Sequence, residues 1–199
     1  MRLILASSSP RRRELLAGLG LRFEIIKPDI DESRRAAEDL VEYAERLSRE
    51  KAEAVARTLD ETPALVISAD TIVMDGGELL GKPADDGDAR RMLWMLRGRE
   101  HEVVTAFTLY RAGDAPRVIT RHARTAVEMR AFSEAEIDAY VATGDPLDKA
   151  GAYGIQNEEF RPVARIEGSY SNVVGLPLEA LKAALGDIGF VFSPQSNET

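Results

Sequence analysis

The run Leu3-Ile4-Leu5-Ala6 is apolar and of strand length, and Ser7-Ser8-Ser9-Pro10 follows it directly. Ser9 suits an N-cap and Pro10 a first helical position, so a helix opens at once and carries Leu15, Leu16 and Leu19 towards Gly20. A strand that turns straight into a helix restricts the chain to folds in which helices cover a sheet. Arg11, Arg12 and Arg13 occupy the first helical turn, where the dipole favours acidic side chains. Two readings stand side by side. Either the arginines are solvated, at about 0.3–1 kcal/mol per misplaced charge, or an anion such as phosphate meets the free N–H groups and the guanidinium forks there.

The rest of the chain alternates strands with helices. The segment "RFEII" reads as a strand before the acidic turn "PDIDES". A long helix follows, with Leu40, Ala44, Leu47, Ala54 and Val55 on a core-facing stripe and Lys51 in the same phase. In "ALVISADTIVMDGGELLGKP" two β-prone runs flank Asp75-Gly76-Gly77, which predicts a hairpin with Asp70 and Thr71 inside its long first strand. A helix from about Asp86 to Arg97 buries Ala89, Met92, Leu93 and Leu96 and stops at Gly98. "EVVTAFTLY" and "RVITRHARTAVEM" make a second hairpin, and Ser133 with Glu136 forms a capping box for a helix to Val141, closed by Gly144. The stretch from Gly144 to Gln156 has the Gly- and Asp-rich composition of a site-forming loop. A short strand in "FRPVARIEG" and a helix from Pro177 through Leu185, ended by Gly186, complete residues 1–190. Residues 191–199 are expected to be a disordered tail. This order suits an α/β or α+β sheet covered by helices, as one domain or as two closely joined lobes.

Composition narrows the function classes. The 199 residues carry a net charge of −8, which argues against a broad nucleic-acid-binding or acidic-membrane surface. There is no cysteine, so disulfides, thiolate metal sites and a cysteine nucleophile are excluded. With only His101 and His122, a histidine-rich metal site is excluded as well. No apolar run approaches the roughly 20 residues of a membrane span, and the expected compartment is the cytoplasm. A homodimer is compatible with this composition.

Four features carry chemistry. Lys51 points inward from its helix, where an ammonium either snorkels or finds an anion. Lys82 lies between Gly81 and Pro83, which together present it from an extended edge. Asp70 follows the apolar run "ALVIS", so its carboxylate is either a structural hydrogen-bond acceptor or at work on a water or a hard cation. Asp31 and Glu32 add carboxylates of the type that suits Mg²⁺ or Mn²⁺. Cleaving a phosphoanhydride needs cations on the non-reacting oxygens, a metal and an oriented water, and these residues supply that combination. No Gly-x-x-x-x-Gly-Lys-Ser/Thr phosphate loop occurs, and neither histidine lies beside a nucleophile elbow.

The motifs "LILASSSPRRRELL", "REKA", "SADTIV", "GKP", "GDPLDKAGAYGIQ" and "EGSYSNVVGLPL" resemble, in order and spacing, those of the Maf family, also called septum formation inhibitor Maf. The resemblance runs from Leu3 to about Leu185. It implies an α/β fold with a mixed central sheet flanked by helices and two lobes around a cleft, similar to inosine triphosphate pyrophosphatases. It also implies hydrolysis of a nucleoside triphosphate to the monophosphate and pyrophosphate with a divalent cation. Carried over, Asp70 is the expected general base and metal neighbour, and Glu32 the second metal partner. Lys51 and Lys82 are expected to neutralise the triphosphate, with Ser7, Arg11 and Arg12 as the phosphate cradle. Arg11, Thr71 and Gln156 stand where the family divides by substrate, and this combination resembles the dTTP/UTP branch. A Gln amide can donate to one carbonyl and accept from the ring N–H of uracil or thymine. The family name implies a second expectation, a nucleotide-binding regulator of septum formation without turnover. One departure is the segment "NEEFRPVARIEG" after Gln156, where many members continue with a glycine-rich stretch; it makes the loop more acidic and stiffer.

Overall fold

A computed structural model describes residues 1–59 and 63–190, so the tail expected over residues 191–199 lies outside the described residues. The elements are β1 (Arg2–Ala6), α1 (Pro10–Ala17), β2 (Glu24–Ile25), α2 (Leu40–Ala56), β3 (Ala64–Asp75), β4 (Glu78–Leu80), α3 (Asp86–Leu96), β5 (Glu100–Ala112), β6 (Arg117–Met129), α4 (Glu134–Ala142), β7 (Val163–Glu167), α5 (Tyr170–Val174) and α6 (Leu178–Asp187). The described strands form a mixed sheet in the order β2-β1-β3-β5-β6-β7, with β4 paired to β3. β1 runs parallel to β2 and β3, whereas β4 is antiparallel to β3 and β7 antiparallel to β6. The chain divides into two compact units, the first taking Met1–Asp70, Thr105–Ala123 and the chain from Gly175, the second Thr71–Val104 and Arg124–Val174.

In the first unit the central strands are buried on both faces, as parallel strands between helices must be. Leu3, Leu5, Leu65, Ile67 and Ala69 face one way and pack with Leu16 of α1 and with Leu181, Ala184 and Leu185 of α6. Ile4, Ala6, Ala64 and Val66 face the other way and pack with Ala52 and Val55 of α2. The second unit has its own core, in which Ala89, Met92, Leu93 and Leu96 of α3 meet Ile137, Tyr140 and Val141 of α4. That stripe on α3 and the Ser133–Glu136 capping box are as the sequence predicts.

Three elements differ from expectation, each for an identifiable reason. The strand predicted at "RFEII" contracts to Glu24–Ile25, since this edge pairs with β1 alone and Pro28 cannot extend the ladder. The last helix runs through Gly186 to Asp187 instead of ending there. Its stop is Gly189 at φ +79°, where Phe190 N–H reaches Leu185 C=O at 2.9 Å and Gly189 N–H reaches Gly186 C=O at 3.0 Å, a Schellman closure. The short α5 has no apolar periodicity to announce it. It is held by Asn172, whose fully buried amide donates to Val103 C=O at 3.0 Å and to Thr125 Oγ1 at 2.9 Å.

His101, on β5 in the second unit, is 5% exposed, and its Nε2 lies 2.8 Å from the Tyr153 hydroxyl. Nδ1 is buried without a hydrogen-bond partner. Burial pushes the imidazole down to about 4 from its ordinary 6.5. Between those values the unfolded chain binds the proton that the fold excludes, so this contribution is fully present above pH 6.5 and is lost as pH falls to about 4. The expected size is about 3 kcal/mol. Urea unfolding of the wild type and His101→Phe across that range checks it: the variant loses less stability on acidification, and parallel curves contradict the assignment.

Candidate active site

Strand parity and helix phase together create the centre of the site. Asp70 lies on the same face of β3 as Ala64, Val66 and Ser68, two residues apart each time, and this is the face that α2 covers. Lys51 belongs to the buried stripe Leu40, Ala44, Leu47, Ser48, Lys51, Ala52 and Val55 of α2. Lys51 Nζ consequently meets Asp70 Oδ1 at 2.6 Å, with both residues buried. A hydroxyl clamp sits just before the pair. Ser68 Oγ donates to Ser48 C=O at 2.5 Å, and the Ser48 hydroxyl lies 2.8 Å from that of Thr108 on β5. Ser48 is one helical turn before Lys51 and Ser68 one strand period before Asp70, so the clamp fixes the helix against the strand at the correct register.

Glu32 arrives from the connection between β2 and α2 and places Oε1 2.9 Å from Lys51 Nζ. Tyr43 of α2 donates its hydroxyl to Glu32 C=O at 2.8 Å, and Arg46 donates to Ser33 C=O at 3.1 Å. Arg46 is itself held by Glu38 at 2.5 Å and by Glu50 at 3.0 Å, and its hydrogen bonds hold the Glu38 carboxyl down to about 2. The connection is thus docked on α2 by its polar groups, and Glu32 itself stays exposed.

The opening of α1 supplies the opposite charge. Ser9 is the N-cap, its side chain accepting from Arg12 N–H at 3.4 Å, and buried Ser7 accepts from Ser9 N–H at 3.1 Å. No acidic residue stands in the first turn. Half-buried Arg12 donates Nε–H to Gly175 C=O at 2.8 Å, from a backbone at φ +123° that glycine alone adopts readily. Burial lowers the Arg12 pKa while the Asp70 charge raises it, and a guanidinium remains charged throughout. For Asp70 burial is the largest influence and raises the carboxyl above 3.8, with Lys51 and Arg12 opposing it. A carboxylate so placed is more basic than one in water, as a proton acceptor should be.

Arg11 precedes Arg12 on α1 in the first unit and is half-buried, whereas Thr71, Lys82 and Gln156 belong to the second unit. Thr71 follows Asp70 on β3 and is half-buried. Lys82 is exposed beside buried Pro83, directly after β4. Gln156 is exposed in a turn beyond two short 3-10 turns at Asp145–Asp148 and Ala150–Ala152. The first unit brings together Arg12, Glu32, Lys51 and Asp70, with Arg11 beside Arg12 and Ser7 just before the opening of α1. Sequence reasoning missed the Gly175 carbonyl, although it lies within the motif "EGSYSNVVGLPL".

Among the described residues no group of three or more His, Cys, Asp or Glu is arranged to hold a metal ion. Glu32 and Asp70 nevertheless converge on one cationic point, the Lys51 ammonium. Two carboxylates of this kind fit Mg²⁺ or Mn²⁺, which take one or two carboxylates and complete their shell with water and phosphate oxygens.

Residues 2–188 match a family model described as Maf-like protein. A dTTP/UTP pyrophosphatase of Chromobacterium violaceum is 48% identical over 95% of this chain and 96% of its own length. Enzymes of the same name from Vibrio cholerae and Moorella thermoacetica are 50% and 51% identical, over 89% and 94% of this chain and 92% and 95% of their own lengths. Among solved structures, a HAM1 protein from Coxiella burnetii shares the fold at a TM-score of 0.52 and 16% identity, over 94% of this chain and 99% of its own. The Staphylococcus aureus Ham1 protein gives 0.51 and 14%, over 94% of this chain and all of its own at 100%.

Replacing Lys51 by Met strands Asp70 as a buried carboxylate with less compensation, and the expected loss is about 3 kcal/mol of stability. Adding Asp70→Asn to Lys51→Met should recover a large part of it, because the uncompensated charge is gone. Urea unfolding of the two single variants and the double variant measures the coupling, and additive losses would show that the pair does not interact.

Proposed function

The chain belongs to the Maf family, and from that membership we propose that it is a nucleoside triphosphate pyrophosphatase converting dTTP and UTP to the monophosphate and pyrophosphate. The observation that carries the mechanism is the buried Asp70 carboxylate held by Lys51 with the Arg12 charge nearby. Asp70 is the proton acceptor for an attacking water. As the water oxygen bonds to phosphorus, the phosphoanhydride bond breaks, the proton passes to an Asp70 oxygen and pyrophosphate leaves. Ser7, Arg11 and Arg12 form the phosphate cradle at the opening of α1, where backbone N–H groups and the helix dipole favour an anion. Lys51 and Lys82 offset the triphosphate charge as it shifts towards the leaving group.

Glu32 and Asp70 are the residues that would hold a divalent cation, Mg²⁺ or Mn²⁺, which when bound neutralises phosphate oxygens and lowers the pKa of a coordinated water. Gln156 and Thr71 read the base, with the Gln amide matching the carbonyl and ring N–H of uracil and thymine. Cytosine presents an amino group in place of that carbonyl and is disfavoured. The proposed site of action is the cytoplasm, as membership of the family implies; among the described residues no helix is long and apolar enough to cross a membrane.

The test is pyrophosphate release from UTP and dTTP by the purified protein with Mg²⁺ or Mn²⁺. Repeated turnover to UMP is expected; stoichiometric retention of UTP would make the protein a binder. Asp70→Asn keeps the shape of the side chain and loses its basicity, so kcat should fall at least about a hundredfold with little change in substrate affinity. Unchanged turnover in that variant would remove Asp70 from the reaction.

A further inference from the structure

The loop that presents Gln156 is organised around one carboxylate. Half-buried Asp145 accepts the Tyr140 hydroxyl of α4 on Oδ2 at 2.7 Å and the Asn157 amide on the same oxygen at 3.2 Å. Its Oδ1 accepts Lys149 Nζ at 2.7 Å, and Lys149 reaches back to Asp145 C=O at 2.5 Å. Tyr140 passes the connection on, because its oxygen accepts Gly154 N–H at 3.0 Å. Gln156 is therefore bracketed. The residue two before it and the residue after it are both tied to Asp145, one through Tyr140 and one directly, while its own side chain is exposed.

The segment where this chain departs from the glycine-rich family pattern is part of the same structure. Asn157 Oδ1 accepts Phe160 N–H at 2.7 Å, and the Phe160 ring stacks on Tyr140 at 4.2 Å and 15°. Phe160 is buried and also meets Phe132 at 4.8 Å. The backbone leading to Gln156 is constrained to match. Ala152 sits at φ +61°, a conformation a non-glycine residue holds only when its surroundings insist. A Cβ at Gly154 would stand 2.9 Å from Lys149 Cε, so the chain passes directly against the lysine stem.

We propose that Asp145, acting through Tyr140 and Asn157, is a positioning group that holds the Gln156 loop in its base-reading conformation and so sets the pyrimidine preference. The inference rests on the reading of Gln156 given above. Fixing the loop before substrate arrives removes an ordering cost of binding, and that cost is repaid only where Gln156 has hydrogen bonds to make. Its loss falls on nucleotides whose base Gln156 matches and spares those it does not.

Two conservative variants isolate the connections. Tyr140→Phe removes the hydroxyl between Asp145 and Gly154 and keeps the ring that stacks on Phe160. Asn157→Asp keeps the acceptor for Phe160 N–H and removes the donor to Asp145. The readout is kcat/KM for dTTP divided by kcat/KM for dATP, with thermal melting recorded for each protein and Gln156→Ala measured beside them. The expected result is a fall in that ratio of about tenfold in both variants, approaching that of Gln156→Ala, with dATP turnover nearly unchanged. Equal losses for dTTP and dATP accompanied by lowered melting would show a merely structural network and overturn the proposal. A preserved ratio in both variants beside a reduced one in Gln156→Ala would overturn it while leaving the role of Gln156 intact. A preserved ratio in Gln156→Ala would overturn the base-reading assignment itself, and the positioning role with it.

Discussion

The buried ion pair between Lys51 and Asp70 is the constraint around which the first unit is arranged. Two charges taken out of water cost several kcal/mol each after relaxation, and their attraction offsets this only if the geometry is tight and further partners are present. Both conditions are met. The contact is 2.6 Å, Glu32 adds a second carboxylate to the ammonium at 2.9 Å, and Arg12 lends its charge to Asp70. An ion pair of this type is weak evidence for stability. What it does is hold a desolvated carboxylate in its charged form: burial raises the Asp70 pKa, and Lys51 and Arg12 oppose that rise.

The same pair explains why α2 lies where it does. A lysine on the apolar stripe of a helix must either snorkel to water or find an anion, and here the strand beneath offers a carboxylate in register. The Ser68 hydroxyl, donating to the Ser48 carbonyl, secures that register from one strand period and one turn away. Arg46, clasped between Glu38 and Glu50, performs the corresponding service for the connection that brings Glu32. Polar groups thus do the aligning, while the leucines and valines of the layers supply the hydrophobic driving force without specifying which turn of the helix faces which residue.

The second unit solves a different problem. Its loop from Gly144 to Gln156 has a composition that favours no regular element, and short 3-10 turns with left-handed backbone at Gly144, Gly151 and Ala152 fill it. Such a loop is rigid only if tied from outside. Tyr140 of α4 and Asn157, both bonded to Asp145, and the stacking of Phe160 on Tyr140 provide the ties, so the departure "NEEF" replaces the flexibility a glycine-rich stretch would allow.

Much of the organisation was legible in the residues themselves. The Ser9-Pro10 helix start, the capping box at Ser133, the Asp75-Gly76-Gly77 hairpin turn and the stripes of α2 and α3 are local or periodic features, and local physics suffices to set them. The inward phase of Lys51 and the enclosure of Asp70 in a β-prone run were equally visible, and with them the choice each faced, snorkelling or an anion for the lysine and a structural or a working role for the carboxylate. That they find one another was decided by tertiary structure, because a helical phase and a strand parity name a face but not the element packed against it. The Gly175 carbonyl on Arg12, the anchoring of α5 by Asn172 and the continuation of α6 past Gly186 belong to the same class. Each depends on contacts between residues far apart in the chain or on a closing turn beyond the helix, which one-dimensional periodicity does not encode.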